Sequence, residues 1–207
     1  MTTGGGFWVA LRDKSGQFGY EDIYTWVGMC ADSKLIVSWM VGKRDAITAH
    51  LFASDLAGRL ANRIQLTTDG YKLYLDAVEA HFGANIDYGM LVKIYGDSAE
   101  QRVQKRYSPA KYTGSSKKII TGLPDRKNIS TSYVERQNLT MRMAMRRFTR
   151  LTNGFSKKAQ NLVCAVSLHF MYYNFARVHQ SLRVTPAMEA GISDHIWSIE
   201  EIVKLSP

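Results

Sequence analysis

Ile23-Tyr24-Thr25-Trp26-Val27-Gly28-Met29-Cys30-Ala31, then Asp32-Ser33, then Leu35-Ile36-Val37-Ser38-Trp39-Met40-Val41, decides the fold class of this 207-residue chain. Both runs are rich in aromatic and β-branched residues, which suit a pleated, half-buried surface. Asp32-Ser33 between them is turn chemistry. The pair reads as two strands joined tightly. Upstream, Phe7–Leu11 is a further strand candidate, separated from Ile23 by a polar stretch that contains Gly16 and Gly19. Three strands in succession predict an antiparallel meander.

The period then changes. After Asp45, Ala49, Phe52, Ala53, Leu56 and Leu60 recur at helical spacing. Ile64–Thr68 is a short strand that ends at Asp69-Gly70. Tyr71–Phe82 is a second helix, with Tyr74, Leu75, Val78 and Phe82 on one face, and Met90–Tyr95 is a fifth strand. The order βββ-α-β-α-β-α predicts an α/β fold: a mixed sheet of about five strands, the first three antiparallel, flanked by helices. Residues 96–131 have weak periodicity and many basic residues, and read as a basic insertion loop. Ser132 is expected to cap a basic helix running to about Thr152, which Asn153-Gly154 stops. Ser156 is expected to cap a largely apolar helix reaching about Val178. Residues 185–207 form small C-terminal helices: Pro186 sits at the first position of one, and Ser198-Ile199-Glu200-Glu201 is a capping box for the other. The length suits one sizeable core, so residues 1–207 are expected to form a single domain.

Composition narrows the function. The chain is 45% hydrophobic and 22% charged, a globular balance. No apolar run approaches the roughly 20 residues of a membrane span, so no membrane partner is expected. Cys30 and Cys164 are isolated, which fits a reduced, cytoplasmic protein without structural zinc. The formal charge of +9 is unevenly spread. Residues 101–158 hold 15 Lys/Arg against two Asp/Glu, whereas the rest holds 12 against 16. Such clustering is the footprint of a polyanion.

Those two acids are Asp125 and Glu135, and Glu135 opens the basic helix. On a wheel of about 100° per residue, Asn138, Arg142, Arg146, Thr149 and Arg150 fall within about 60° of Glu135. Met141, Ala144, Phe148 and Leu151 fall opposite. Glu135 is either an ion-pair partner of Arg136 or Arg142 on a solvated face, or a metal ligand on nucleic acid. Asp69 is either the N-cap of the following helix or a site residue at the carboxyl end of a strand. Together they suggest phosphoryl transfer, in which two hard divalent ions about 4 Å apart clamp the attacking and leaving oxygens. His169 reads as a satisfied core histidine, His179 as a structural helix-end histidine, and Trp26 and Trp39 as core.

Three stretches in order, Gln65-Leu66-Thr67-Thr68-Asp69-Gly70-Tyr71-Lys72, Ile129-Ser130-Thr131-Ser132-Tyr133-Val134-Glu135-Arg136-Gln137-Asn138-Leu139-Thr140 and Arg146-Arg147-Phe148-Thr149-Arg150-Leu151-Thr152-Asn153-Gly154-Phe155-Ser156-Lys157-Lys158, resemble bacterial insertion-sequence transposases of the DDE superfamily. The closing Tyr172-Tyr173-Asn174-Phe175 and His179–Met188 are similar to the same group. The resemblance implies an RNase H-like fold and Mg²⁺ (or Mn²⁺) in a two-ion site held by Asp, Asp and Glu. It makes Asp69 the second acid and Glu135 the third. It implies DNA transposition: hydrolysis at transposon ends, then attack of the 3′-hydroxyl on target DNA. The partners would be transposon-end and target DNA and further copies of the chain on that DNA, in a bacterial cytoplasm at the nucleoid. Arg136, Asn138, Arg142, Arg146, Arg150 and Lys157 would bind the scissile strand or its neighbours. Lys158 and the pair Lys117-Lys118 would contact phosphates.

The first acid departs from that pattern. Relatives carry it on the first strand, in an Asp-Glu-Ile-Trp-like segment. The matching position here falls near Thr2 or Thr3, where no acid stands. Asp13, Asp22 and Asp32 lie beyond that strand or in the wrong element. The helix-turn-helix that relatives carry upstream is also missing. An N-terminally truncated product is therefore expected, inactive alone in strand transfer. Two other readings stay open: a non-catalytic DNA-binding fragment, and an RNase H-like nuclease that does not transpose.

Overall fold

The computed structural model describes residues 2–9 (backbone only), 23–96, 111–149, 154, 156 and 158–205. Among them are six strands: β1 (Thr2–Val9), β2 (Ile23–Cys30), β3 (Ile36–Gly42), β4 (Ile64–Asp69), β5 (Ile86–Gly96) and β6 (Lys111–Thr121). They form one sheet in the order β3-β2-β1-β4-β5-β6. β1 runs antiparallel to β2, from Thr2 opposite Cys30 to Val9 opposite Ile23. β2 and β3 are antiparallel as well. β4 lies parallel to β1, with Thr3 opposite Thr67, and parallel to β5, with Asp69 opposite Leu91. This is the RNase H-like mixed sheet expected from the sequence, with the first three strands antiparallel and a sixth strand added.

Side-chain alternation along the strands supplies two cores. On one face, α1 (Ala46–Gly58) and α2 (Leu73–Phe82) close over Trp26, Phe52, Leu56, Leu66, Ile86 and Tyr88. On the other, α3 (Ser132–Ala144) and α4 (Ala159–Met171) close over Val27, Val134, Met141, Phe148, Leu162, Val166 and Phe170. Each such side chain stabilises the fold by about 1.5–3 kcal/mol on full burial. Trp26 is core as expected, and its indole N–H donates to the Lys43 carbonyl at 3.2 Å. Trp39 is half-buried against the second core.

The sixth strand falls inside the stretch read as a basic loop. β6 pairs antiparallel with β5 along nearly its whole length, with register shifts at Tyr88/Gly89 and Ile94/Tyr95. Its sequence, Lys111-Tyr112-Thr113-Gly114-Ser115-Ser116-Lys117-Lys118-Ile119-Ile120-Thr121, has little intrinsic strand character over its first half. The partner strand, not propensity, makes it a strand. After it, Ile129 lies directly on the sheet at Gly89. A Cβ at Gly89 would sit 2.6 Å from Ile129 Cδ1, so only glycine allows this approach. That contact brings the start of α3 down beside β5.

Several expected helix limits move. The basic helix ends at Ala144 rather than near Thr152, because Met145 turns to extended geometry (φ −120°, ψ 109°). A 3₁₀ turn, Arg146–Phe148, follows and buries Phe148. Ser132 is the first helical residue rather than the cap, which is Thr131. The apolar helix begins at Ala159; Ser156 does not cap it but accepts a hydrogen bond from Arg147. It continues past Met171 as a π turn, Tyr172–Ala176. The terminal helices are as read: α5 (Pro186–Glu189), capped by Thr185, and α6 (Ile199–Lys204), with its Ser198/Glu201 capping box.

The π turn supplies a further device. β3 is an edge strand, yet Asn174 pairs with its backbone as a neighbouring strand would. Ile36 N–H donates to Asn174 Oδ1 and Asn174 Nδ2 donates to the Ile36 carbonyl, both at 3.0 Å. No helix among the described residues is long and apolar enough to cross a membrane.

Candidate metal and nucleic-acid site

Asp69 closes β4, and its carboxylate accepts the Tyr71 N–H at 3.2 Å. This is an Asx turn rather than an N-cap, since α2 starts at Leu73 with Lys72 in the cap position. Burial pushes the Asp69 carboxyl above its ordinary range. The Tyr71 N–H and the charges of Arg44 and Lys93 oppose that shift, whereas Glu135 reinforces it. The Asp69 and Glu135 carboxylates are thus close enough to repel one another.

Glu135 occupies the first turn of α3, where a carboxylate complements the helix dipole. Its Oε1 accepts from the Thr131 hydroxyl at 2.6 Å and lies 2.6 Å from Lys93 Nζ. Lys93 stands two residues beyond Leu91, the β5 partner of Asp69. It thus takes the same face as Asp69 and leans toward α3. The Glu135 carboxylate raises the Lys93 ammonium above its usual range.

A cavity of about 720 Å³ joins these groups, with Arg44, Tyr71, Lys72, Tyr95 and Thr131 also on its wall. The Arg44 guanidinium lies 4.2 Å from the Tyr71 ring centre, and the Tyr71 hydroxyl donates to the Arg44 carbonyl at 2.9 Å. Tyr95 and Tyr112 meet edge to face at 6.2 Å on the paired strands β5 and β6, both largely exposed. A second cavity, about 530 Å³, lies between β3, α4 and α6 and has no carboxylate on its wall.

The other expected site residues scatter. Arg136 and Arg146 are exposed on the α3 side of the sheet. Asn138 is buried, not on an exposed face with Glu135, because α3 sets Val134, Gln137, Asn138 and Met141 against the sheet. Arg142 is half-buried. Lys117 and Lys118 point to opposite faces of β6, as strand alternation demands. Lys117 spends its ammonium on the Arg126 carbonyl at 2.7 Å, and Lys118 is exposed away from Asp69. Lys158 is exposed at the start of α4. Arg150 and Lys157 lie outside the described residues, as do Asp13 and Asp22.

The sheet register sharpens the question of a first acid. β1 pairs with β4 at Thr2 opposite Leu66 and Thr3 opposite Thr67, so Thr2 and Thr3 lie level with residues three and two places before Asp69. Asp32 follows Cys30, opposite Thr2, and is thereby at the far end of the sheet from Asp69. Among the described residues, no group of three or more His, Cys, Asp or Glu side chains could hold a metal ion. Two carboxylates, Asp69 and Glu135, stand on one cavity wall, which suits a hard divalent ion that takes one or two carboxylates and fills the rest of its shell with water and phosphate oxygens, and Lys93 contacts Glu135 Oε1. Several buried polar atoms, Thr25 Oγ1, Thr67 Oγ1, Gln137 Nε2 and Asn138 Oδ1, lack a hydrogen-bond partner on this side of the sheet.

Sequence reasoning missed Arg44, Tyr71, Lys93 and Tyr95. Lys93 carried a readable signal, a lysine inside the otherwise apolar run Met90–Tyr95. Arg44 carried none, since it reaches the site only through its approach to Tyr71.

No protein-family model matches the chain, and no curated protein matches it in sequence. Among solved structures it is similar to a cryo-EM structure of a piggyBac transposase synaptic complex with hairpin DNA, at 9% identity and a TM-score of 0.42. That similarity covers 98% of this chain and 50% of the other, so the chain spans about half the length of that transposase.

Proposed function

We propose that the chain is a DNA-binding transposase domain of the DDE kind whose metal site is incomplete, so that it binds DNA but does not carry out strand transfer alone. One observation carries this reading: Asp69, from a strand end, and Glu135, from a crossing helix, reach the same cavity beside a basic surface. Asp69 and Glu135 would hold the ion. A hard divalent ion there would polarise phosphate oxygens and stabilise charge on a displaced one. Arg44 and Lys72, on the cavity wall, would orient a phosphate. Arg136, Arg146 and Lys158 would position the flanking backbone without reading its sequence.

With two carboxylates on the cavity wall and no cluster of three metal-ligating side chains among the described residues, the non-catalytic form of this reading is favoured over a free-standing RNase H-like nuclease. Full activity would need a further acid. The test is to incubate the purified chain with duplex DNA and Mg²⁺ or Mn²⁺, following binding by fluorescence anisotropy and products on a sequencing gel. Binding without cleavage or joined products is expected. Robust metal-dependent cleavage abolished by Asp69→Ala would show that another acid completes the site; absence of binding would remove the nucleic-acid reading altogether.

A further inference from the structure

Lys93 is a cation held in the cavity by the fold itself. Its position follows from β5: Leu91 pairs with Asp69, and alternation returns Lys93 to the Asp69 face one step further along. Its ammonium contacts Glu135 Oε1 at 2.6 Å, while its charge also acts on Asp69. It therefore pairs with one of the two carboxylates that a divalent ion would need, on the cavity wall that carries the other.

We propose that Lys93 is the resident cation of the Asp69–Glu135 pair, and that a divalent ion enters only by displacing its ammonium. The inference rests on the reading of that pair as a metal site. Glu135 Oε1 already takes the Thr131 hydroxyl and the Lys93 ammonium, which leaves that oxygen little room for a third partner. A compact ammonium on a flexible four-carbon stem can swing away without any backbone movement. Once released at the cavity mouth, beside Arg44 and Lys72, it adds a positive charge where a phosphate would lie. Metal entry and phosphate capture are then linked through one side chain.

Mn²⁺ titration of the purified chain, with free Mn²⁺ read by electron paramagnetic resonance, tests this without any activity. The variants are Lys93→Met, Lys93→Gln, Lys93→Arg and the double change Lys93→Met with Glu135→Gln. The neutral variants are expected to bind one Mn²⁺ at least tenfold more tightly than the parent. Lys93→Arg should stay as weak as the parent, and the double variant should lose the gain. Circular dichroism melts establish that each variant is folded, and Lys93→Gln serves if Lys93→Met is not. Equal, Glu135-dependent affinity in parent and neutral variants would overturn the displacement while leaving the metal reading intact. No Glu135-dependent binding in any variant would overturn both.

Discussion

His169 shows what burial does to a single side chain here. It lies half-buried on α4 beside Phe170, with ring centres 5.4 Å apart, and its Nε2 is shielded without a hydrogen-bond partner. The sequence suggests a satisfied core histidine; the structure makes it a half-buried one with an unmatched nitrogen. Burial, aided by the charge of Arg177, lowers it to about 4. An unfolded histidine titrates near 6.5, so between these values the unfolded chain binds the extra proton. The stability that rests on neutral His169 is complete above pH of about 6.5 and drains away as pH falls toward 4. Thermal melts across that range are expected to show a declining midpoint in the parent. His169→Leu should flatten that part of the profile, and an unchanged slope would show that other groups carry it. Asp69 was legible from sequence because a strand end followed by glycine is a recognisable place. Lys93, which shares the cavity wall with Asp69 and pairs with Glu135, was legible only as an anomaly, because a strand's neighbours are set by pairing rather than by adjacency.

Elements were read best where local pattern and tertiary role agree. β2, β3 and α1 follow their composition, and Asp45 caps α1 by accepting the Thr48 N–H at 2.8 Å. β6 was not legible, since Gly114-Ser115-Ser116 argues for a loop and only the partner strand overrides it. The end of α3 was not legible either: Met145 departs from helix without a glycine or proline to announce it. The edge of β3 is a third case, since no spacing rule ties Asn174 to Ile36, 138 residues away. Asn174→Ala would strand the Ile36 N–H and C=O in a buried setting, where each unmet group costs about 1–3 kcal/mol. Urea unfolding should show a loss of about 2–4 kcal/mol on that basis, with a smaller loss for Asn174→Asp, which still accepts from the Ile36 N–H. A loss below 0.5 kcal/mol on the same scale would mean that water replaces the amide without penalty.

At the scale of the whole molecule, the charge asymmetry was the most legible functional feature, yet its geometry was not. The helix wheel placed Asn138 beside Glu135, but α3 turns Asn138 inward and Lys117 is consumed by the Arg126 carbonyl. The exposed cations that remain on the site's side, with Arg136 and Arg146 among them, predict DNA binding dominated by counterion release. Three phosphate contacts would reduce affinity by about 40-fold between 50 and 200 mM salt. Arg136→Ala with Arg146→Ala should lower the slope of log K against log salt by about two units. A slope unchanged by that pair would place the contact surface elsewhere.

The Asn174 amide also has a colloidal consequence. A sheet edge with free N–H and C=O groups is a template for another chain. Asn174 occupies that template with a side chain that cannot extend further, so strand-by-strand growth from Ile36 stops at one residue's width. Removing it would do more than weaken one fold: it would open that rung of the β3 edge, and the variant's solubility should then depend on how crowded its solution is.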